Sequence, residues 1–363
     1  MNQIKPLPHI AVMKPYVPGG KLHGQTGRAV MLASNENPFG PSPAAIEAAR
    51  AVAGEVHIYP DPDYRELREA IARSKGIRDA SRIATAAGSD EIIHLLTQCY
   101  AGPGDEVLFT EHAFSMYRVS ANAHGAAPVT APETDMTAGV KAILGAVTPR
   151  TKILFLANPN NPTGTMLPLE DLKALQDALP PQVLFVIDGA YCEYLGPGYE
   201  AALRDLVDRR DNTVMMRTFS KIYGLAALRL GWAYMPAQIA GIWQRVRGPF
   251  NVSSLAAAAG IAAIGDEAFL ARSREHNTQW RAIMSQRLNA MGLTVPESHA
   301  NFVLAEFGSP EQASAAHQYL KDHGILVRAI RGYGLPTKLR ISVGSAEDNK
   351  SLLDALAAFT ASR

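Results

Sequence analysis

From about residue 80 the chain alternates short apolar runs with amphipathic helical stretches: RIATAA leads into SDEIIHLLTQCY, EVLFTE into FSMYRVSANAHG, TKILFLA into PLEDLKALQDAL, and VLFVIDGAY and NTVMMRTFS follow. This alternation constrains the fold more than any other feature. Strands that are separated by helices run parallel, because each helix packs back on a sheet face before the next strand begins. Continuous apolar strands such as Ile153 to Ala157 and Val183 to Ile187 need cover on both sides. The expected class is α/β, a mostly parallel sheet covered by helices. After about residue 245 the sequence becomes helix-rich and then gives shorter strands at NFVLAEF, GILVRAI and LRISVG, which predicts a smaller α+β C-terminal domain. The expected division is an N-terminal arm over 1–30, a large domain over 31–245 and a small domain over 246–363, with the boundary in the helix around Pro236 to Arg247.

Composition removes several classes of function. At 363 residues and 47% hydrophobic the chain is long enough for a sizeable core, and Lys+Arg 35 against Asp+Glu 34 leaves no basic excess for a nucleic-acid backbone. Cys99 and Cys192 show no CxxC spacing, and the histidines form no HxxxH or HxH pair, so neither a disulfide framework nor a metal site is expected. The N-terminal MNQIKPLPHIAVMKPY carries prolines where a signal peptide needs an unbroken apolar run. The apolar run from Leu255 to Gly265 is too short to span a bilayer and reads as a buried helix. The cytoplasm is the expected location, and no membrane is expected as a partner.

In open α/β sheets ligands sit beyond the carboxyl ends of the strands, so the polar residues that follow each apolar run matter most. At AAGSDE, Gly88 ends a strand and Ser89, Asp90 and Glu91 open a helix whose N–H groups face an anion or are simply capped. At ANPNNPTG, turn chemistry explains the prolines and Gly164 but does not require Asn160 and Asn161 at the mouth of a sheet. At VIDGAY, Asp188 ends a buried strand, where a carboxylate is costly without a cationic partner, and Tyr191 follows. At TFSKIYGLAALRLGW, Lys221 sits among Phe219, Ile222, Tyr223 and Leu225, with Arg229 further on. Partial desolvation beside other cations favours a neutral lysine, the nucleophile that Schiff-base chemistry with an aldehyde demands, while Ser220 and Arg229 suit a dianion. Together these strand ends match pyridoxal phosphate, which needs a lysine for its aldehyde, a carboxylate for its pyridinium nitrogen and a helix N-terminus with an arginine for its phosphate.

The chain resembles the fold type I pyridoxal-phosphate aminotransferases and, within them, the histidinol-phosphate aminotransferase subfamily. The resemblance runs from KPYVPGGK through SNENPFGP, YPDPDYRELREAIA, AAGSDEII, ANPNNPTG, RTFSKIYGLAALRLGW and RGPFNV to GYGLPTKLRISVG. It implies that Lys221 carries the cofactor and shuttles the substrate Cα proton, and that Asp188 keeps the ring nitrogen protonated. It places Asn161 and Tyr191 on the ring's phenolic oxygen and Phe114, a position often tyrosine in the family, on the ring face. Ser89, Asp90, Thr218, Ser220 and Arg229 surround the phosphate, with Tyr59 reaching it from the second subunit of a homodimer that shares its active sites. Arg340 binds an α-carboxylate, and Tyr16 and Arg328 meet the phosphate of histidinol phosphate, with Arg331 adding positive charge. Glycine at position 189, where the family more often has Glu or Ala, is expected to loosen the turn between Asp188 and Tyr191.

The implied reaction is ping-pong transamination of histidinol phosphate with 2-oxoglutarate in histidine synthesis. An aromatic amino-acid aminotransferase and a threonine-phosphate decarboxylase use similar scaffolds and arginines, and the residues alone do not separate them. A ligand-sensing domain without catalysis is disfavoured by the intact Lys221.

Overall fold

The computed structural model describes residues 4–13, 15 and 29–361. Tyr16 lies outside the described residues. The strands are β1 (Val30–Leu32), β2 (Ile83–Ala86), β3 (Glu106–Thr110), β4 (Ala127–Ala131), β5 (Thr151–Ala157), β6 (Leu184–Asp188), β7 (Thr213–Thr218), β8 (Gly231–Tyr234), β9 (Phe302–Glu306), β10 (Ile325–Ala329) and β11 (Lys338–Ser342).

The larger sheet has seven strands in the order β2-β8-β7-β6-β5-β3-β4, with β8 antiparallel to both neighbours and the other pairs parallel. Its strands are buried on both faces because alternate side chains enter two different cores. Leu154, Leu156, Phe185 and Ile187 fill one core, while Ile153, Phe155, Leu184 and Val186 fill the other. That is why these runs are continuously apolar and do not alternate with polar residues.

The smaller sheet runs β1-β10-β11-β9. Its core takes Trp280, Met284 and Leu288 from the long helix Glu267–Ala290, which Asp266 caps by accepting from the Phe269 N–H at 3.1 Å.

The cores divide the chain differently from the expected boundaries. Residues Val30–Leu32, expected in the large domain, pair in parallel with Ile325–Val327 and put Val30 and Leu32 into the smaller core. Helix Ser254–Ile264, expected in the small domain, contributes Ala256, Ala259, Ala263 and Ile264 to a core of the larger sheet. Its small residues allow the close approach: a Cβ at Gly260 would stand 2.4 Å from Leu230 Cδ2. The passage from one core to the other falls within helix Glu267–Ala290, where Leu270 packs with the larger sheet and Trp280 with the smaller.

Candidate active site

The carboxyl ends of β2, β5, β6 and β7 converge on a cavity of about 180 Å³ whose lining includes Ser89, Asp90, Phe114, Asn161, Asp188, Tyr191, Thr218, Ser220, Lys221 and Arg229. Ten of the expected site residues therefore meet in one place.

At the end of β2, the helix Ser89–Tyr100 is preceded by Gly88, and no side chain caps it. Glu91 turns back instead, accepting from the Ala87 N–H at 2.6 Å and from Asn251 Nδ2 at 2.8 Å. Ser89 and Asp90 of this first turn line the cavity, and the free N–H groups and positive dipole end of a helix start suit an anion. Arg229 completes it, with Nη2 3.4 Å from Asp90 Oδ2 and Nη1 3.5 Å from Ser220 Oγ. Gly88 has φ +87°, and a Cβ there would lie 2.5 Å from Arg229 Nη2, so glycine is what lets the arginine close on the helix start. Thr218 Oγ1 accepts from the Ser220 N–H at 3.1 Å and shapes the same turn.

Asp188 is buried, and its hydrogen bonds come from neutral donors, the Tyr117 hydroxyl at 2.7 Å and the Ala190 N–H at 3.0 Å. Burial drives its pKa up to about 6, with the Tyr117 bond opposing the rise. Lys221, donating to the Ser34 carbonyl at 3.0 Å, is pushed down to about 8, first by burial and then by the charge of Arg340. Tyr191 is raised to about 12 by burial and so keeps its proton.

Arg340 enters from the smaller sheet, donating to Asn161 Oδ1 and, at 2.7 Å, to the Ala33 carbonyl. With its Oδ1 taken, Asn161 offers its NH₂ to a neighbouring acceptor. Phe114 stands edge-on to Tyr117, ring centroids 5.9 Å apart.

Gly189 does not loosen its turn. A Cβ there would lie 3.1 Å from both Arg217 Cδ and Cys192 Sγ, because Arg217 is buried against Glu193 at 2.7 Å and Glu200 at 3.0 Å directly behind it. The turn is packed, and the glycine is the residue that fits.

Other expected residues lie elsewhere. Tyr59 is 78% exposed, stacks on Phe250 with centroids 4.4 Å apart, and lines a separate groove of about 620 Å³. Arg328 sits on β10 opposite Arg340 in the β10–β11 register. Arg331 donates to Ser314 Oγ at 2.8 Å at another surface depression, away from the cavity. Sequence reasoning passed over Tyr117 and Asn35. Tyr117 had one signal, its place one helical turn from Phe114; Asn35 had only its place in SNENP.

The donor set fits pyridoxal phosphate. A buried carboxylate bonded only by neutral groups suits a ring nitrogen that carries a proton, a lysine with a depressed pKa suits an aldehyde, and the uncapped helix start with Arg229 suits a phosphate.

Comparison with known proteins agrees. Residues 28–356 match the family model for aminotransferase class I and II. The histidinol-phosphate aminotransferase of Hyphomonas neptunium is 79% identical over 100% of this chain and 99% of its own length, and that of Dinoroseobacter shibae is 51% identical over 99% of each. A crystal structure of histidinol-phosphate aminotransferase from Sinorhizobium meliloti in complex with pyridoxal-5'-phosphate superposes with a TM-score of 0.90 at 30% identity, covering 98% of this chain and 97% of that one. The chain belongs to the class I and II aminotransferases, with the fold type I architecture and dependence on pyridoxal phosphate that define the group. It is a transaminase, acting on a small-molecule amino donor and a keto acceptor. Among the described residues no single helix is long and apolar enough to cross a membrane.

Proposed function

We propose that this enzyme exchanges the amino group of L-glutamate with the keto group of imidazole acetol phosphate, giving L-histidinol phosphate and 2-oxoglutarate reversibly, as a step of histidine synthesis in the cytoplasm. The observation that carries the reading is the convergence of Lys221, Asp188 and Arg229 on one cavity with Arg340 at its edge, in a chain 79% identical to a histidinol-phosphate aminotransferase.

When bound, pyridoxal phosphate supplies a conjugated ring that takes up the electrons released as the substrate's Cα–H bond breaks. Lys221 is the residue that would hold the cofactor's aldehyde carbon and would move a proton at the substrate Cα; with its pKa lowered to about 8, roughly a tenth of its amine is neutral at pH 7. Asp188 would hold the ring-nitrogen proton. Asn161 and Tyr191 would bond the phenolic oxygen, and Phe114 would cover a ring face. Ser89, Asp90, Thr218, Ser220 and Arg229 would bind the phosphate, joined by Tyr59 of a second copy, whose exposure in a single chain suits that role. The assembly is accordingly a homodimer. Arg340 binds the glutamate α-carboxylate through its planar guanidinium. Arg328, with Tyr16 of the arm, binds the phosphate of histidinol phosphate.

The test is the absorbance spectrum of the cofactor-loaded enzyme before and after L-histidinol phosphate, with L-glutamate, L-phenylalanine and L-tyrosine in parallel. Conversion to the amino form of the cofactor by histidinol phosphate at low concentration and by glutamate is the expected result. Conversion by the aromatic amino acids alone would reassign the substrate.

A further inference from the structure

Asn35, the first asparagine of SNENP, is 1% exposed and has φ +57°, a backbone conformation that non-glycine residues seldom adopt. Three hydrogen bonds hold it there. Its N–H donates to Ser342 Oγ at 2.9 Å, its carbonyl accepts from Asn301 Nδ2 at 2.9 Å, and its side-chain Oδ1 accepts from the Ser342 hydroxyl at 3.1 Å. The Ser342 oxygen already accepts the Asn35 N–H, so its single proton goes to Oδ1, and this orients the amide. The NH₂ group is thereby turned to the Tyr191 hydroxyl, to which it donates at 3.0 Å.

A phenol has one proton and can both accept and donate. Because Tyr191 accepts from Asn35, its own proton must point elsewhere, and the residue lines the cavity. We propose that Asn35 is a positioning residue that sets the direction of the Tyr191 hydroxyl proton, delivering it to the phenolic oxygen of the bound cofactor. This rests on the placement of Tyr191 beside that oxygen, given above. Charged and titratable groups around Tyr191 include Arg340, Asp188, Tyr333, Tyr117 and Tyr194, and those around Lys221 include Arg340, Glu36, Asp90 and Arg229; all of these stay in place in the variants below.

A hydrogen bond donated to the phenolic oxygen stabilises its negative charge most when no neighbouring proton shares that charge. It therefore lowers the proton affinity of the nitrogen that joins the cofactor to Lys221, and the visible absorbance of the loaded enzyme reports that titration. Asn35→Gly removes the amide, relieves the positive φ and keeps both backbone hydrogen bonds. Asn35→Asp tolerates the same φ and presents an acceptor to Tyr191, which reverses the proton. Both variants are expected to raise the midpoint of the absorbance titration by about one unit, the scale of one charge-assisted hydrogen bond, as is Tyr191→Phe. In a Tyr191→Phe background, Asn35→Gly, which adds no charge, is not expected to raise it further. An unmoved midpoint in both Asn35 variants beside a raised one in Tyr191→Phe would overturn the inference, as would an equal rise for Asn35→Gly in the Phe background. An unmoved midpoint in Tyr191→Phe itself would instead remove the underlying placement of Tyr191.

Discussion

The Tyr117 hydroxyl donates to Asp188 Oδ2 at 2.7 Å while the Tyr117 ring lies flat on Phe155, centroids 4.8 Å apart with an interplanar angle of 5°. One buried side chain thus ties the carboxylate at the end of β6 to the packed core beneath Phe114. Its bond offsets part of the burial that drives Asp188 up to about 6. Tyr117→Phe keeps the stacking and removes the bond, so the Asp188 pKa is expected to rise further. Cofactor affinity should then fall more at pH 6 than at pH 8, read by equilibrium titration at both; equal losses would assign Tyr117 a packing role only.

Asp188 also makes a stability prediction with a definite sign. Its folded pKa of about 6 lies above the ordinary aspartate value of 3.8, so the cofactor-free protein carries a burial penalty that is absent below the unfolded pKa, grows between the two values and is complete above the folded one. That difference corresponds to a penalty of about 3 kcal/mol. Asp188→Asn is expected to raise the Tm of the cofactor-free protein at pH 7, with little gain at pH 4, while lowering turnover by roughly 100-fold or more. A lower Tm at pH 7 would show that the ionised carboxylate is well solvated.

Lys221 sets the pH of cofactor loading. With Nζ at about 8, the rate of covalent attachment to cofactor-free protein should climb through that pH as the amine loses its proton. A stopped-flow pH series with a midpoint near the ordinary lysine value would contradict the depressed pKa. Lys221→Ala should leave a folded protein without turnover and without a cofactor adduct by mass spectrometry after reduction.

Arg328 and Arg340 face each other across the β10–β11 register, and in the proposed reaction they bind different anions. Arg328→Ala is expected to raise KM for histidinol phosphate by roughly 10- to 100-fold, the scale of a charge-assisted contact, with a much smaller effect on phenylalanine. Steady-state kinetics on both substrates decide this. Equal losses would mean that the arginine does not read the phosphate.

Gly88→Ala places a methyl 2.5 Å from Arg229 Nη2 at a backbone φ of +87°. The arginine must withdraw from the helix start. A fall in cofactor affinity of roughly 10-fold or more is expected, with a stability loss of about 1–2 kcal/mol. Calorimetry of cofactor binding and thermal melts measure the two separately, and unchanged affinity would remove Arg229 from the phosphate site.

The sequence by itself determined the alternation of the larger sheet and the chemistry waiting at its strand ends. Continuous apolar runs such as Val183 to Ile187 require two covered faces, and the acid or lysine just beyond a run is pinned to the carboxyl edge by the covalent chain. Ser89, Asp90, Asn161, Asp188, Tyr191, Ser220, Lys221 and Arg229 were legible from the strand ends, while Phe114 and Thr218 were named only through the family resemblance; all of them line one cavity. Only the tertiary structure decided which surfaces meet. The alanines and Gly260 of Ser254–Ile264 mark a close-packed helix without saying which core receives it, and Val30–Leu32 is an apolar segment whose partner strand lies almost 300 residues away. The same holds for the hydrogen-bonded pairs that orient the site, Tyr117 with Asp188 across 71 residues and Asn35 with Tyr191 across 156. Burial and periodicity are local properties written along the chain. The direction of a proton depends on a donor that folding brings from elsewhere, and no local pattern records it.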